Sequence, residues 1–66
     1  MKIIFSNREQ FEASVEVVFH YNTRCDSAGD LHTDYVDMTY SFADASHGQR
    51  AVKRLKERNL TAFTTP

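Results

Sequence analysis

The chain has 66 residues, a formal net charge of −1 and a single cysteine, Cys25. That length holds one domain, 1–66, with a small core, and one cysteine excludes an internal disulfide to brace it. No apolar run approaches membrane-spanning length, and the apolar stretch from Met1 to Ser6 is too short for a signal peptide, so a soluble protein of a reducing, cytoplasmic compartment is expected.

The small net charge hides an uneven distribution. Residues 1–49 carry three cations against eight acids, net −5, and residues 50–66 carry five cations against Glu57 alone, net +4. This polarity is the most informative feature of the sequence.

In chain order, Lys2 to Ser6 reads as a short strand, and Asn7-Arg8-Glu9-Gln10 as a polar break. Phe11, Ala13, Val15, Val17, Phe19 and Tyr21 then alternate with more polar residues, a period of two that predicts a half-buried strand. Phe11, Val15, Val18 and Phe19 also fit a helical stripe over 8–19; the longer alternation decides for the strand. Asn22 to Asp30 is a polar, turn-rich connection. Leu31 to Phe42 reads as one further strand, with Val36, Met38, Tyr40 and Phe42 on its apolar side. Placing both apolar sets on one face pairs Val36 with Val17, Met38 with Val15 and Tyr40 with Ala13. The other face then sets Glu16 opposite Asp37, with Glu12 near, an acidic patch whose like charges oppose folding.

Ala43 to Arg58 reads as a helix capped by Asp44 or Ser46, with Ala45, Gly48, Ala51, Val52 and Leu55 as its apolar stripe. Asn59 is the expected left-handed cap. Leu60, Ala62 and Phe63 lead into a tail that either packs on the core or pairs with a sheet edge, and residues 64–66 are expected to fray. The predicted fold is α+β: a three-stranded antiparallel sheet packed against one C-terminal α-helix, β-β-β-α plus a short tail. A homodimer is left open.

Few residues suggest chemistry. Asp30, His32 and Asp34 alternate and could flank an ion, with Cys25 and Asp26 close in sequence, but the spacing matches no ligand motif, so no metal or other cofactor is assigned. Cys25 has no histidine beside it, and the two glycines belong to no phosphate-binding motif. No catalytic residue is assigned and the chain is read as a non-enzyme. Two surfaces remain. Glu12, Glu16, Asp34 and Asp37, with Tyr35 as an aromatic anchor, form the candidate site for a protein partner. Arg50, Lys53, Arg54 and Arg58 form the alternative, a nucleic-acid-binding helix.

A short chain without an enzyme motif, read as a lone α+β unit from Lys2 to Arg58 with charge clustered at Glu12, Glu16 and Asp37, resembles the small proteins that phages and mobile elements encode against host defences, anti-CRISPR proteins among them. The resemblance implies a cofactor-free inhibitor in the host cytoplasm that occupies a surface on a nucleic-acid-handling complex.

Overall fold

The structure, a computed structural model, describes residues 1–21 and 29–65. Among these residues four strands and two helices follow one another as β1 (Lys2–Ile4), α1 (Arg8–Tyr21), β2 (Leu31–Asp34), β3 (Thr39–Phe42), α2 (Ala45–Glu57) and β4 (Phe63–Thr65). The fold is α+β, with a fully antiparallel sheet in the order β2-β3-β1-β4. β1 and β2 run parallel with β3 between them, the split β-α-β arrangement.

The expected second strand is a helix. Asn7, placed above in a polar break, opens α1: its side-chain oxygen accepts from the Gln10 amide at 3.1 Å and its carbonyl from the Phe11 amide at 2.9 Å, the bonding of an N-cap. Phe11, Ser14, Val17 and Val18 are buried, a helical spacing, and Val15 and Phe19 pack against them. The pairings of Val17, Val15 and Ala13 with the later strand therefore do not form. Nor is Leu31 to Phe42 one strand: residues 35–38 turn it into a hairpin, with Leu31 opposite Phe42 and Thr33 opposite Tyr40.

With 8–21 withdrawn from the sheet, β1 pairs with β3, setting Ile3 opposite Tyr40. The tail supplies the fourth strand: β4 pairs with the other side of β1, setting Thr64 opposite Ile3, so residues 64 and 65 are tied down rather than frayed. Both helices cover one face of the sheet, where Ile3, Leu31, Tyr40 and Phe42 are buried. The opposite face carries two cross-strand rows, His32–Ser41–Lys2–Thr65 and Asp34–Thr39–Ile4–Phe63. It is not acidic, because Glu12 and Glu16 lie on α1 and Asp37 in the turn.

The C-terminal helix matches expectation more closely. Asp44 caps it, accepting from the Ser46 amide at 2.9 Å and the Ser46 hydroxyl at 2.7 Å; these bonds hold its carboxyl below the usual carboxylate range. Gly48, Ala51 and Leu55 are buried and Val52 half-buried, while Ala45 is exposed. At Gly48 a methyl group would stand 2.5 Å from the Met1 sulfur and 3.4 Å from the Phe42 ring, so the missing side chain lets α2 approach the sheet. Asn59 adopts φ of 59°, the left-handed conformation foreseen for it.

One polar contact sits inside the apolar core. The fully buried Ser14 and Tyr40 hydroxyls are 2.8 Å apart, and Ser14 also donates to the Phe11 carbonyl. Removing the serine strands a buried phenol, whereas removing the phenol leaves Ser14 its carbonyl. Ser14→Ala should therefore cost about 1–3 kcal/mol, and Tyr40→Phe about 1 kcal/mol or less, in urea denaturation.

Burial pushes the Tyr40 hydroxyl up to about 12, against the pull of the Ser14 hydrogen bond. The folded value lies above the unfolded one near 10, so this phenol's contribution is complete below about pH 10 and is lost as pH rises toward 12. Melting temperature measured against pH should fall more steeply across that window in the parent than in Tyr40→Phe.

Candidate interaction site at the hairpin tip

The connection between β2 and β3 contains no glycine or proline, yet it is held from several sides. Asp34 closes it: one carboxylate oxygen accepts from the Val36 amide at 3.0 Å and the Asp37 amide at 2.9 Å, an Asx turn. The Thr39 hydroxyl donates to the Asp37 carbonyl at 3.1 Å. Met38 takes φ of 57°, the left-handed residue that ends many hairpin loops. Its carbonyl accepts from the Phe5 amide at 3.0 Å, which ties the turn to the chain after β1.

Helix α1 supplies a second clamp. Arg8, in its first turn, donates through Nη1 to the Tyr35 carbonyl at 2.7 Å and through Nη2 to the Val36 carbonyl at 3.3 Å. Its guanidinium stands 5.8 Å from the Phe11 ring centroid, and the Tyr35 ring meets Phe11 edge-on, centroids 5.9 Å apart. One planar cation thus satisfies two carbonyls and rests against an aromatic ring.

A tip fixed this firmly still presents apolar surface to solvent. Val36 is 82% exposed and Tyr35 55% exposed. Asp37 is exposed beside them, and Glu9, Glu12 and Glu16 form an exposed ridge along α1. Of the residues predicted for a protein partner, Asp34, Tyr35 and Asp37 come together in the hairpin. Glu12 and Glu16 sit one turn apart on the neighbouring helix, not on a sheet face, and the supposed Glu16–Asp37 cross-strand pair does not exist. Sequence reading missed Arg8 and Val36. Val36 was read as a buried strand residue; the signal against that was Asp34 followed by Asp37, the polar chemistry of a turn.

The other candidates fall elsewhere. Arg50, Lys53, Arg54 and Lys56 on α2, and Arg58 at its cap, are all exposed, with Arg54 lying 3.5 Å from Glu57. Asp30, His32 and Asp34 are not assembled into an ion site. Asp30 accepts from the Asp44 amide at 2.9 Å and lies 3.0 Å from His47 Nδ1, His32 sits opposite Ser41 on the sheet, and Asp34 serves the turn. Among the described residues no three His, Cys, Asp or Glu side chains are grouped to hold a metal. Cys25 and Asp26 lie outside the described residues. No described helix is long and apolar enough to cross a membrane.

Arg8→Ala should loosen the tip while leaving the sheet paired. Backbone relaxation measurements are expected to show larger amplitudes at Val36 and Asp37 than in the parent, with Tyr40 and Ile3 unchanged; equal amplitudes at the tip would mean the Asx turn alone holds it. Compared with known proteins, the chain matches no family model, and no curated protein and no solved structure matches it.

Proposed function

We propose that this chain is a non-catalytic protein-binding module that docks through the tip of its β2–β3 hairpin, with the acidic ridge of α1 beside it. The observation that carries the reading is Val36: a β-branched apolar side chain, 82% exposed, on a turn held by Asp34, Arg8 and Met38. An ordered apolar group loses little conformational freedom when it enters a partner's pocket, so little of its burial energy is offset. Tyr35 adds an aromatic contact of the kind enriched at interface centres. Asp37, Glu12 and Glu16 favour a basic partner, because complementary charge steers encounter and rejects the wrong surface.

Basic surfaces accessible to a protein are common on complexes that handle nucleic acids. Together with the short chain and clustered charge, this supports an inhibitor of the anti-CRISPR kind, one that occupies a groove meant for a phosphate backbone. Its acidic surface is a helix ridge and a hairpin tip.

A second reading, direct nucleic-acid binding, is favoured by the five exposed cations of α2 and its cap. The overall charge of −1 weighs against it. The two readings separate in one experiment. Titration against labelled DNA and RNA at roughly 50 and 200 mM salt should give no salt-sensitive binding. Parent protein and Val36→Asp, used as paired baits in one lysate with quantitative mass spectrometry, should differ by a partner that only the parent retains. Identical retention would remove the hairpin tip from the proposal, and binding to nucleic acid that fails at the higher salt would move the function to α2.

A further inference from the structure

The sheet reaches further than the helices that cover it. Thr64 shares a face with Ile3, its partner on β1, yet Ile3 is wholly buried and Thr64 is exposed. The helical layer stops between β1 and β4, leaving a groove along the β4 edge. Its deepest part is a cavity of about 200 Å³ walled by Ile3, Val52, Leu55, Leu60 and Ala62, with Lys56 at its rim. Two shallower depressions continue it, one beside Gln49, Val52, Lys53 and Lys56 and one beside Met1, Ala45 and Thr65. Gln49, Val52, Lys53 and Lys56 stand at helical spacing, so a single face of α2 forms the wall opposite β4.

The groove combines three features. Its floor is apolar and of a size that accepts one aliphatic or small aromatic group, since cavities of about 150 Å³ lined by such residues take up benzene. Its far side is a sheet edge: among the described residues β4 is the outermost strand and pairs with β1 alone, and the outward amide and carbonyl groups of such a strand can pair with an added one. Phe63-Thr64-Thr65 carries no charge to discourage such pairing, and Phe63 is 66% exposed on the outer face. Its helix wall is basic, because the one acid there, Glu57, lies 3.5 Å from Arg54 while Lys53 and Lys56 point the charge of the wall toward cations.

We infer that this groove binds an extended acidic peptide, which adds to β4 as a fifth strand. Side chains of an added strand alternate between the two sheet faces. One apolar side chain enters the cavity, an acidic side chain two positions away meets Lys53 or Lys56, and the residue between them covers Phe63. A second copy of this chain is the less suitable occupant. Symmetric pairing of β4 with β4 would set the two α2 walls across the twofold axis, Lys53 and Lys56 facing their own copies. The inference is independent of the hairpin tip.

The test is selection from a random octapeptide library displayed on phage, followed by amide shift mapping of the protein with an enriched peptide. Enriched sequences should carry an apolar residue with an acid two positions away, and shifts should concentrate in residues 49–56 and 61–65. Lys53→Gln with Lys56→Gln should weaken the peptide about tenfold, and Val36→Asp should leave it unchanged. The inference is overturned if no sequence is enriched, if the enriched sequences lack acids, if the lysine variant binds as well as the parent, or if the shifts map to the hairpin. A dimer in sedimentation that the lysine variant strengthens would assign the groove to a second copy instead.

Discussion

Tyr40 stands where every layer of this small domain meets. It lies on β3, between β2 and β1, opposite Thr33 on one side and Ile3 on the other. Its ring meets Phe5 edge-on with centroids 6.1 Å apart and lies tilted against Phe11 at 5.3 Å. Its hydroxyl reaches Ser14 on α1. A side chain of this size has few positions in so small a core, and its hydroxyl must find a partner once buried. Ser14 provides that partner only if residues 8–21 form a helix above the sheet. The polar pair thus does more than offset a desolvation cost: it fixes the rotation of α1 about its axis, which sets Phe11 inward and carries Glu9, Glu12 and Glu16 outward. With Phe11 placed, Tyr35 and Arg8 have a surface to close against, and the hairpin tip follows.

The same pair explains why α1 was hard to read. The buried set is Phe11, Ser14, Val17 and Val18. A serine in that stripe breaks the apolar period of a helix, while Val15, Val17 and Phe19 keep the period of a strand, and β-branched residues favour the strand reading. The competing helical signal, Phe11, Val15, Val18 and Phe19, captured the right element with a partly different face. What decided between them is a hydroxyl on Tyr40, 26 residues downstream, and no local pattern encodes that. The Asn7–Gln10 cap marks where the helix starts but does not set which of its faces turns inward.

Elsewhere legibility followed how local the cause is. The cap at Asp44, the buried Gly48-Ala51-Leu55 stripe and the left-handed Asn59 depend on neighbours within one or two turns, and all were visible in the sequence. The hairpin was not, because its left-handed residue is Met38 rather than glycine. A left-handed non-glycine residue costs about 1–2 kcal/mol, and here the Phe5, Asp34 and Arg8 hydrogen bonds that hold the turn come partly from distant segments. The fourth strand was one of two options for the tail, and it became necessary once residues 8–21 left the sheet and exposed the second edge of β1.

The charge asymmetry of the sequence acquires a shape through this fold. Glu9, Glu12 and Glu16 line α1 and the cations of residues 50–58 line α2 and its cap, so the two helices that cover one sheet face carry opposite charge on their outer sides. Such an arrangement brings the two ridges into mutual attraction across the layer, weakly at physiological salt because the side chains are exposed. Its larger consequence is for encounter. The exposed apolar groups are also divided: Val36 and Tyr35 belong to the hairpin clamped to acidic α1, and Phe63 lies on the edge strand, on the sheet face that the helices leave open. The two proposed docking surfaces lie at opposite edges of the sheet, the hairpin tip beside acidic α1 and the groove between β4 and basic α2, so on these proposals complementary charge separates their partners before any side chain is buried. The two proposed contact surfaces, the hairpin tip and the sheet edge, thus share one 66-residue chain, in which Tyr40 holds α1 to the sheet and the Gly48 face of α2 lies against Phe42.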